Sequence, residues 1–314
     1  MAGYRQNPAV LLNNLLESRH VMTRLADSTG RLSRVYFMQR RCRIIRALLL
    51  CVMLGMTFLP AARADSPTGL LPLSVIKSGQ VQYAMLRGRP VYGYLSQPAG
   101  ARGAQPGVIL IHMWWGLNQH MRDLAVQLSR RGYVVLAVDL YNGRTTRDPQ
   151  VAARLMDIAN QNPGALLSNL EQAVAYMNVT QNVNRLGVIG WSVGGQWAFK
   201  IASDLPQAFD ALAVFYAAPY TEPSQLAPLR MPILAFFGGR DPFVPLAVVD
   251  KFQWAAGLAS ARVTIHIYPH AKAAFDDPDS TAYDVHDAQD AWRQLHAFLA
   301  HYLKGNTRLS KASG

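Results

Sequence analysis

Short apolar segments alternate with amphipathic segments between residues 80 and 302. The apolar segments have four to six residues, a pattern typical of strands buried on both faces of a sheet. Between them, apolar positions recur with the spacing of a helix. The first two segments, 81–86 and 90–95, flank Arg87-Gly88-Arg89 and predict an antiparallel hairpin. The other predicted strands are 108–112, 134–138, 186–189, 211–215, 233–237 and 263–268, and the predicted helices are 118–131, 150–159, 163–177, 196–202, 246–256 and 283–302.

This alternation predicts an α/β fold, in which helices flank both faces of a mostly parallel sheet. In such sheets, functional side chains collect in the loops that follow the carboxyl ends of the strands. Residues 65–314 contain no repeat, low-complexity stretch or long linker. We therefore expect these residues to form a single domain.

A segment near the N-terminus has the pattern of a secretory signal peptide. Arginines at 40–46 precede an uncharged apolar run, 47–59, and Ala62-Arg63-Ala64 supplies small residues at the −3 and −1 positions. We therefore interpret 38–64 as a signal peptide that is cleaved before Asp65. Because the apolar run is shorter than the roughly 20 residues that span a bilayer, we expect no membrane anchor after cleavage.

Setting this segment aside changes the charge balance. Residues 1–37 precede Met38, where the signal begins, and we interpret them as an upstream extension from a misplaced start codon. The whole chain carries a net charge of +12, but ten arginines and both cysteines lie within 1–64. The remainder has 21 basic and 17 acidic side chains and no cysteine. This composition argues against a nucleic-acid partner, a disulfide or a cysteine nucleophile, and it fits a periplasmic or secreted protein.

The segment Gly190-Trp191-Ser192-Val193-Gly194-Gly195 directly follows the predicted strand 186–189. It has the G-x-S-x-G pattern of a nucleophile elbow, a sharp strand-to-helix turn that presents a serine hydroxyl. Glycines are needed there because side chains would collide with the neighbouring strand and helix. We therefore expect Ser192 to be the nucleophile of an acyl-transfer reaction.

A serine nucleophile needs a base to accept its proton and an acid to orient that base. Asp241 follows the predicted strand 233–237 and comes after Ser192 in the chain, which is the position of the acid in this kind of site. The alternative is an ordinary turn aspartate before Pro242.

Five segments of the chain form one set: Ile111–Asn118, Asp139–Tyr141, Gly190–Gly195, Gly238–Pro245 and Tyr268–Phe275. Together they resemble the dienelactone hydrolase family, and the resemblance covers nearly all of 75–302. It implies an α/β-hydrolase fold and hydrolysis of a small carboxylic ester or lactone, without a metal or cofactor. It also implies that the backbone N–H groups of Trp114 and Val193 stabilise the oxyanion.

Three positions depart from the family pattern. Ser192 stands where the family usually has cysteine, and Met113 stands where it has a glutamate that contacts the nucleophile. Ala273 occupies the place of the catalytic histidine, so His270 in the same loop is the candidate base; the alternative is a solvent-facing histidine. Because an extended chain covers about 10 Å in three residues, His270 needs a tighter or re-routed loop to reach Ser192.

On the last predicted helix, we expect His286, His296 and His301 to face solvent.

The sequence is compatible with two functions. The first is an exported serine hydrolase, with Trp115 and Tyr141 as walls of an apolar substrate pocket or, alternatively, as core residues. The second is a catalytically impaired protein that keeps the pocket and binds a small ligand. Nothing in the sequence favours a structural module, and no feature predicts an oligomeric state.

Overall fold

The predicted strands assemble into one sheet in a computed structural model, which describes residues 75–100 and 103–305. The predicted extension 1–37, the signal peptide 38–64 and the cleavage site before Asp65 lie outside the described residues. The strands are β1 (Ile76–Leu86), β2 (Arg89–Pro98), β3 (Gln105–Ile111), β4 (Val134–Val138), β5 (Val183–Trp191), β6 (Ala211–Phe215), β7 (Ile233–Gly238) and β8 (Val263–Tyr268).

The sheet has the strand order β1-β2-β4-β3-β5-β6-β7-β8. The β1–β2 hairpin is antiparallel and β2 pairs antiparallel with β4, whereas all the other pairings are parallel. Every residue of β4, β6 and β7 is buried, as expected for strands covered on both faces. The prediction of a mostly parallel sheet is therefore confirmed, and the loops after β3, β5, β7 and β8 leave from its carboxyl edge.

The helices within the described residues are α1 (Gln119–Arg130), α2 (Pro149–Asn160), α3 (Pro163–Ala175), α4 (Val193–Asp204), α5 (Pro223–Leu226), α6 (Leu246–Leu258) and α7 (Val285–Leu299). Asn118 caps α1 by accepting a hydrogen bond from the Met121 N–H, 3.1 Å away. Asp148 and Asp284 cap α2 and α7 in the same way, each satisfying N–H groups that the first turn leaves unpaired. The predicted helices are present, and only the single turn α5 lacks a counterpart in the sequence pattern.

The alternating side chains of β3 divide between two hydrophobic cores, because successive strand residues point to opposite faces. Ile109 and Ile111 join the core on the face covered by α3, α4 and α6. Val108 and Leu110 join the core on the face covered by α1 and α7. Helices therefore cover both faces, as predicted. Among the described residues, no helix has both the length and the apolar character that crossing a membrane requires.

His296 on α7 is less exposed than the sequence predicts. Its ring packs against Trp292, with the centroids 5.6 Å apart, and its Nε2 atom is buried without a hydrogen-bond partner among the described residues. The expectation that the histidines of this helix face solvent is therefore wrong for His296. Burial, together with the positive charges of Arg131 and Lys304, lowers the pKa of His296 to about 4.

Acid should destabilise the fold through this histidine. The folded protein keeps His296 neutral, whereas an unfolded chain protonates histidine near about pH 6.5. The stabilisation is therefore complete above that pH and is lost as the pH falls toward 4. We expect His296→Gln to flatten the decline in the free energy of unfolding over this range, measured by urea denaturation. The exposed His301→Gln serves as control, and parallel pH profiles for wild type and His296→Gln would contradict the expectation.

Candidate active site

Ser192 lies at the sharp turn between β5 and α4. Its φ is 51° and its ψ is −121°, a conformation that non-glycine residues rarely adopt. The Ser192 N–H donates a hydrogen bond of 2.9 Å to the Phe215 carbonyl at the end of β6. Strained backbone of this kind persists only where the surrounding structure holds it.

The glycines of the turn explain how it is held. A Cβ atom at Gly194 would collide with the carbonyl oxygens of Ile111 and His112 at the end of β3. A Cβ atom at Gly190 would collide with the Gly194 carbonyl across the turn itself. The start of α4 therefore packs directly against β3, which only glycine permits. The backbone has the geometry of a nucleophile elbow, and the role of Ser192 as nucleophile stays a prediction.

The N–H groups of Val193 and Trp114, the predicted oxyanion donors, belong to the start of α4 and to the loop after β3. Val193 is the first residue of α4, and Trp114 lies in the loop after β3, against which α4 packs. No hydrogen bond within the described part of the chain is donated by either N–H group. The Thr146 N–H donates a 3.1 Å hydrogen bond to the Trp115 carbonyl and so fixes the loop that carries Trp114. Donors held in place before the reaction are what oxyanion stabilisation requires.

Asp241 lies in the loop after β7 and is 5% exposed. Its Oδ1 accepts hydrogen bonds from the N–H groups of Phe243, at 2.8 Å, and Val244, at 3.3 Å. Its Oδ2 is buried and has no hydrogen-bond partner among the described residues. Burial raises the pKa of Asp241, and the two backbone donors oppose that rise. One oxygen is thus oriented by the protein, and the other is left for a donor that the described residues do not supply.

The loop after β8 packs tightly against the end of β7. The Arg240 N–H donates a 2.9 Å hydrogen bond to the Ala271 carbonyl. A Cβ atom at Gly239 would lie 2.6 Å from the Pro269 carbonyl oxygen, so the two backbones are nearly in contact. A Cβ atom at Gly238, the last residue of β7, would also lie 3.0 Å from the carbonyl oxygen of Lys272, the residue before Ala273. The methyl group of Ala273 has no atom that can donate to Asp241 Oδ2.

His270 lies between the two fixed points of this loop and is exposed. Burial and the neighbouring Asp284 raise the pKa of Asp287, in the first turn of α7, and His270 opposes that rise. No hydrogen bond of the described residues joins His270 to Ser192 or to Asp241. The structure therefore brings Ser192 and Asp241 to the carboxyl edge of the sheet without a connecting imidazole, and the assignment of His270 as base stays a prediction.

His112, at the end of β3, is fully buried and does not replace the base. Its Nε2 accepts a 3.1 Å hydrogen bond from the Leu140 N–H, which leaves Nδ1 to donate to the Met113 carbonyl at 2.6 Å. Burial lowers the pKa of His112. A neutral ring with both nitrogens engaged holds the loops after β3 and β4 together rather than moving a proton.

The sequence analysis did not predict a buried polar network that lies beneath the elbow. The Trp191 indole and the Tyr216 hydroxyl each donate a 2.9 Å hydrogen bond to Asp276, which lies in the loop after β8. Burial raises the pKa of Asp276, and both donors oppose the rise. The neighbouring Asp277 lies 3.7 Å from Nδ1 of His120 at the start of α1. The two adjacent acids after Phe275 were the sequence feature that could have revealed this network. They anchor the loop after β8 to the elbow and to α1.

The aromatic residues predicted to line a pocket differ in exposure. Trp114 and Trp115 are partly buried, and their ring centroids lie 4.6 Å apart. Tyr141 is 5% exposed and its ring meets the His112 ring edge-on at 4.7 Å. Burial raises the pKa of Tyr141 to about 12. The two tryptophans are thus placed to contact a ligand, whereas Tyr141 packs mainly in the core, and a pocket role for any of the three stays a prediction.

Metal-ligating side chains do not cluster in the part of the chain that the structure describes. No group of three or more His, Cys, Asp or Glu side chains lies together there as metal ligands would. That the site needs no cofactor stays a prediction.

The sequence profile of the dienelactone hydrolase family matches residues 91–303. A protein of Methylorubrum extorquens, provisionally named carboxymethylenebutenolidase, is 27% identical over 72% of this chain and 81% of its own. A protein of Synechocystis with the same provisional name is 29% identical over 68% of this chain and 93% of its own.

Solved structures show the same fold. A Klebsiella pneumoniae protein, provisionally described as a dienelactone hydrolase, matches with a TM-score of 0.66 at 24% identity, over 73% of this chain and all of the other. A dienelactone hydrolase-like promiscuous phosphotriesterase from metagenomic libraries matches with a TM-score of 0.66 at 18% identity, over 72% and 98% of the two chains. The described residues therefore have an α/β-hydrolase fold.

Proposed function

Because the chain belongs to the dienelactone hydrolase family, we propose that it is an exported serine hydrolase that cleaves a carboxylic ester or lactone through an acyl-enzyme. One observation carries this proposal: Ser192 sits on a strained turn at the start of α4, and the N–H groups of Val193 and Trp114 donate no hydrogen bond among the described residues. A nucleophile and an oxyanion site are then in place before the substrate binds. The predicted signal peptide at 38–64 supports export.

The proposed reaction begins with attack of Ser192 Oγ on the carbonyl carbon. The electron pair displaced onto the carbonyl oxygen is stabilised by the N–H groups of Val193 and Trp114. Collapse of this intermediate expels the alcohol and leaves an acyl-enzyme, which water then hydrolyses. Asp241 orients whichever base accepts the serine proton. The sequence assigns that base to His270, which no hydrogen bond among the described residues joins to Ser192 or Asp241.

A second function is favoured by the unpartnered Oδ2 of Asp241 and by the methyl group of Ala273. A site without a base can hold a small ester or lactone without turning it over, since loss of a triad member costs several orders of magnitude in rate. The protein would then be a catalytically impaired family member that binds a small ligand.

A fluorophosphonate probe distinguishes the two functions. If a base of the protein activates Ser192, the full-length protein takes up one equivalent of label on Ser192, located by mass spectrometry, and Ser192→Ala takes up none, because phosphonylation requires an activated serine. Hydrolysis of p-nitrophenyl acetate should be lost with the label. An unlabelled Ser192 in a folded protein that binds esters and hydrolyses none of them would favour the binding function. His270→Ala, compared with the exposed His286→Ala, reports whether His270 takes part.

A further inference from the structure

Asp241 Oδ2 is an acceptor that the described chain leaves unused. Among the described residues, buried side-chain atoms without a partner occur on His120, Asp241 and His296. His120 and His296 lie on helices, whereas Asp241 lies in the loop after β7, at the edge of the sheet where Ser192 follows β5. An unpaired buried carboxylate oxygen is costly, so a donor from outside the chain would be bound favourably there. We expect that donor to be an N–H group, because in a Ser-His-Asp triad an imidazole N–H donates to the aspartate oxygen.

His270 is poorly placed to be that donor. The hydrogen bond from Arg240 to the Ala271 carbonyl and the close approach of Gly239 to Pro269 fix the chain on either side of it. Moving His270 to Asp241 would break both contacts. His112 cannot serve either, because both of its ring nitrogens are engaged in the core.

We propose that the substrate brings the missing base, so that this site hydrolyses esters whose acyl part carries an imidazole or a similar nitrogen heteroaromatic ring. The inference rests on the proposed function and names its substrate class. One ring N–H donates to Asp241 Oδ2, beside the methyl group of Ala273, and the second ring nitrogen faces the Ser192 hydroxyl. The ring thus occupies the place of a histidine side chain between the two residues.

The proton moves within this arrangement in both half-reactions. As the bond from Ser192 Oγ to the carbonyl carbon forms, the hydroxyl proton passes to the ring nitrogen. When the bond to the alcohol oxygen breaks, the ring returns that proton to the leaving alcohol. In deacylation the ring takes a proton from water, hydroxide attacks the acyl-enzyme, and Ser192 leaves with the proton.

Because the base transfers a proton in both acylation and deacylation, it must be attached to the acyl part of the substrate. A ring on the acyl part remains at the site after the alcohol leaves and can therefore serve both steps. A ring on the alcohol part departs with the first product, so the acyl-enzyme accumulates.

The surroundings suit such a ring. Trp114, Trp115 and Ala273 pack at the border of the same hydrophobic core, and the two indoles are partly exposed. An aromatic wall can stack on a heteroaromatic ring and exclude water from it. A weakly hydrated carboxylate strengthens the hydrogen bond that the ring donates.

Matched esters test the inference with the full-length protein. Methyl 3-(imidazol-4-yl)propanoate carries the base on its acyl part, and methyl 3-phenylpropanoate replaces that ring with phenyl. We expect kcat/KM to be about 100-fold higher for the imidazole ester, the contribution of a positioned base, after subtraction of the Ser192→Ala rate. Asp241→Asn should reduce this preference about tenfold or more. Imidazol-4-ylmethyl acetate should release one equivalent of alcohol and then stall.

The outcomes separate the inference from the proposed function. Equal kcat/KM values for the two methyl esters, with both lost in His270→Ala and kept in His286→Ala, would overturn the inference and assign the base to His270. Fluorophosphonate labelling of Ser192 without hydrolysis of the imidazole ester would also overturn it. Failure of the probe to label Ser192, with no ester hydrolysed, would instead reject the proposed function.

Discussion

Ala273→His is expected to raise kcat/KM for phenyl acetate and other simple esters by about 100-fold or more. Ala273 follows Lys272, whose carbonyl lies against the end of β7. Oδ2 of Asp241, in the loop after β7, is buried and has no partner among the described residues, so we expect an imidazole at position 273 to gain its orienting acid. The side chain of Ala273 is partly exposed, which gives a ring room to extend toward Ser192. Steady-state kinetics on the wild type and the variant measure the gain.

Ala273→Asn is the matched control, because asparagine can donate to Asp241 but cannot accept a proton at neutral pH. A rise in both variants would point to repacking of the loop rather than to a restored base. No gain with Ala273→His, in a variant that unfolds like wild type, would show that position 273 does not face Ser192. If the substrate normally supplies the base, the same variant should also lose most of its preference for the imidazole ester.

Gly194→Ala is expected to lower the free energy of unfolding by about 3 kcal/mol, because the added methyl overpacks the elbow. The clash is with the backbone carbonyls of Ile111 and His112 in a central strand, which cannot rotate away as a side chain would. For a domain of this size, the loss corresponds to a fall of about 6–12 °C in Tm. Labelling of Ser192 by the fluorophosphonate probe should fall as well, since the turn can no longer hold its strained φ.

Gly257→Ala provides the comparison. Gly257 lies near the end of α6, and a Cβ atom there has no neighbour within 4 Å. We expect this variant to be as stable as wild type or more stable by about 0.5–1 kcal/mol, from the better helix propensity of alanine. A Gly194→Ala protein with wild-type Tm and full labelling would disprove the account of the elbow.

Much of the fold could be predicted because its signals are local. The strands β4, β6 and β8 begin and end at the residues predicted from their apolar runs. The β1–β2 hairpin is longer at both ends than predicted, since its strands are half exposed and alternate less clearly. The elbow was likewise visible, because its glycines and Ser192 are adjacent in the chain.

The parts of the site that escaped prediction depend on distant contacts. Asp276 is 85 residues from Trp191 and 60 residues from Tyr216, and only the fold brings the three together. The sequence spacing gave an upper limit for the distance of His270 from position 273. It did not reveal that the chain on either side of His270 packs against Gly239 and Arg240. The burial of His296 likewise follows from its packing on Trp292, which the helical pattern alone does not reveal.

If the N–H groups of Val193 and Trp114 are the oxyanion donors, as proposed, they are available whether or not a base is present. Esters that lack a base can therefore still occupy this site, and they should compete with reactive esters instead of being ignored. Discrimination would then reside in kcat, with KM values similar across the series. Such a protein would select its substrates after binding, according to whether the bound ester supplies a base.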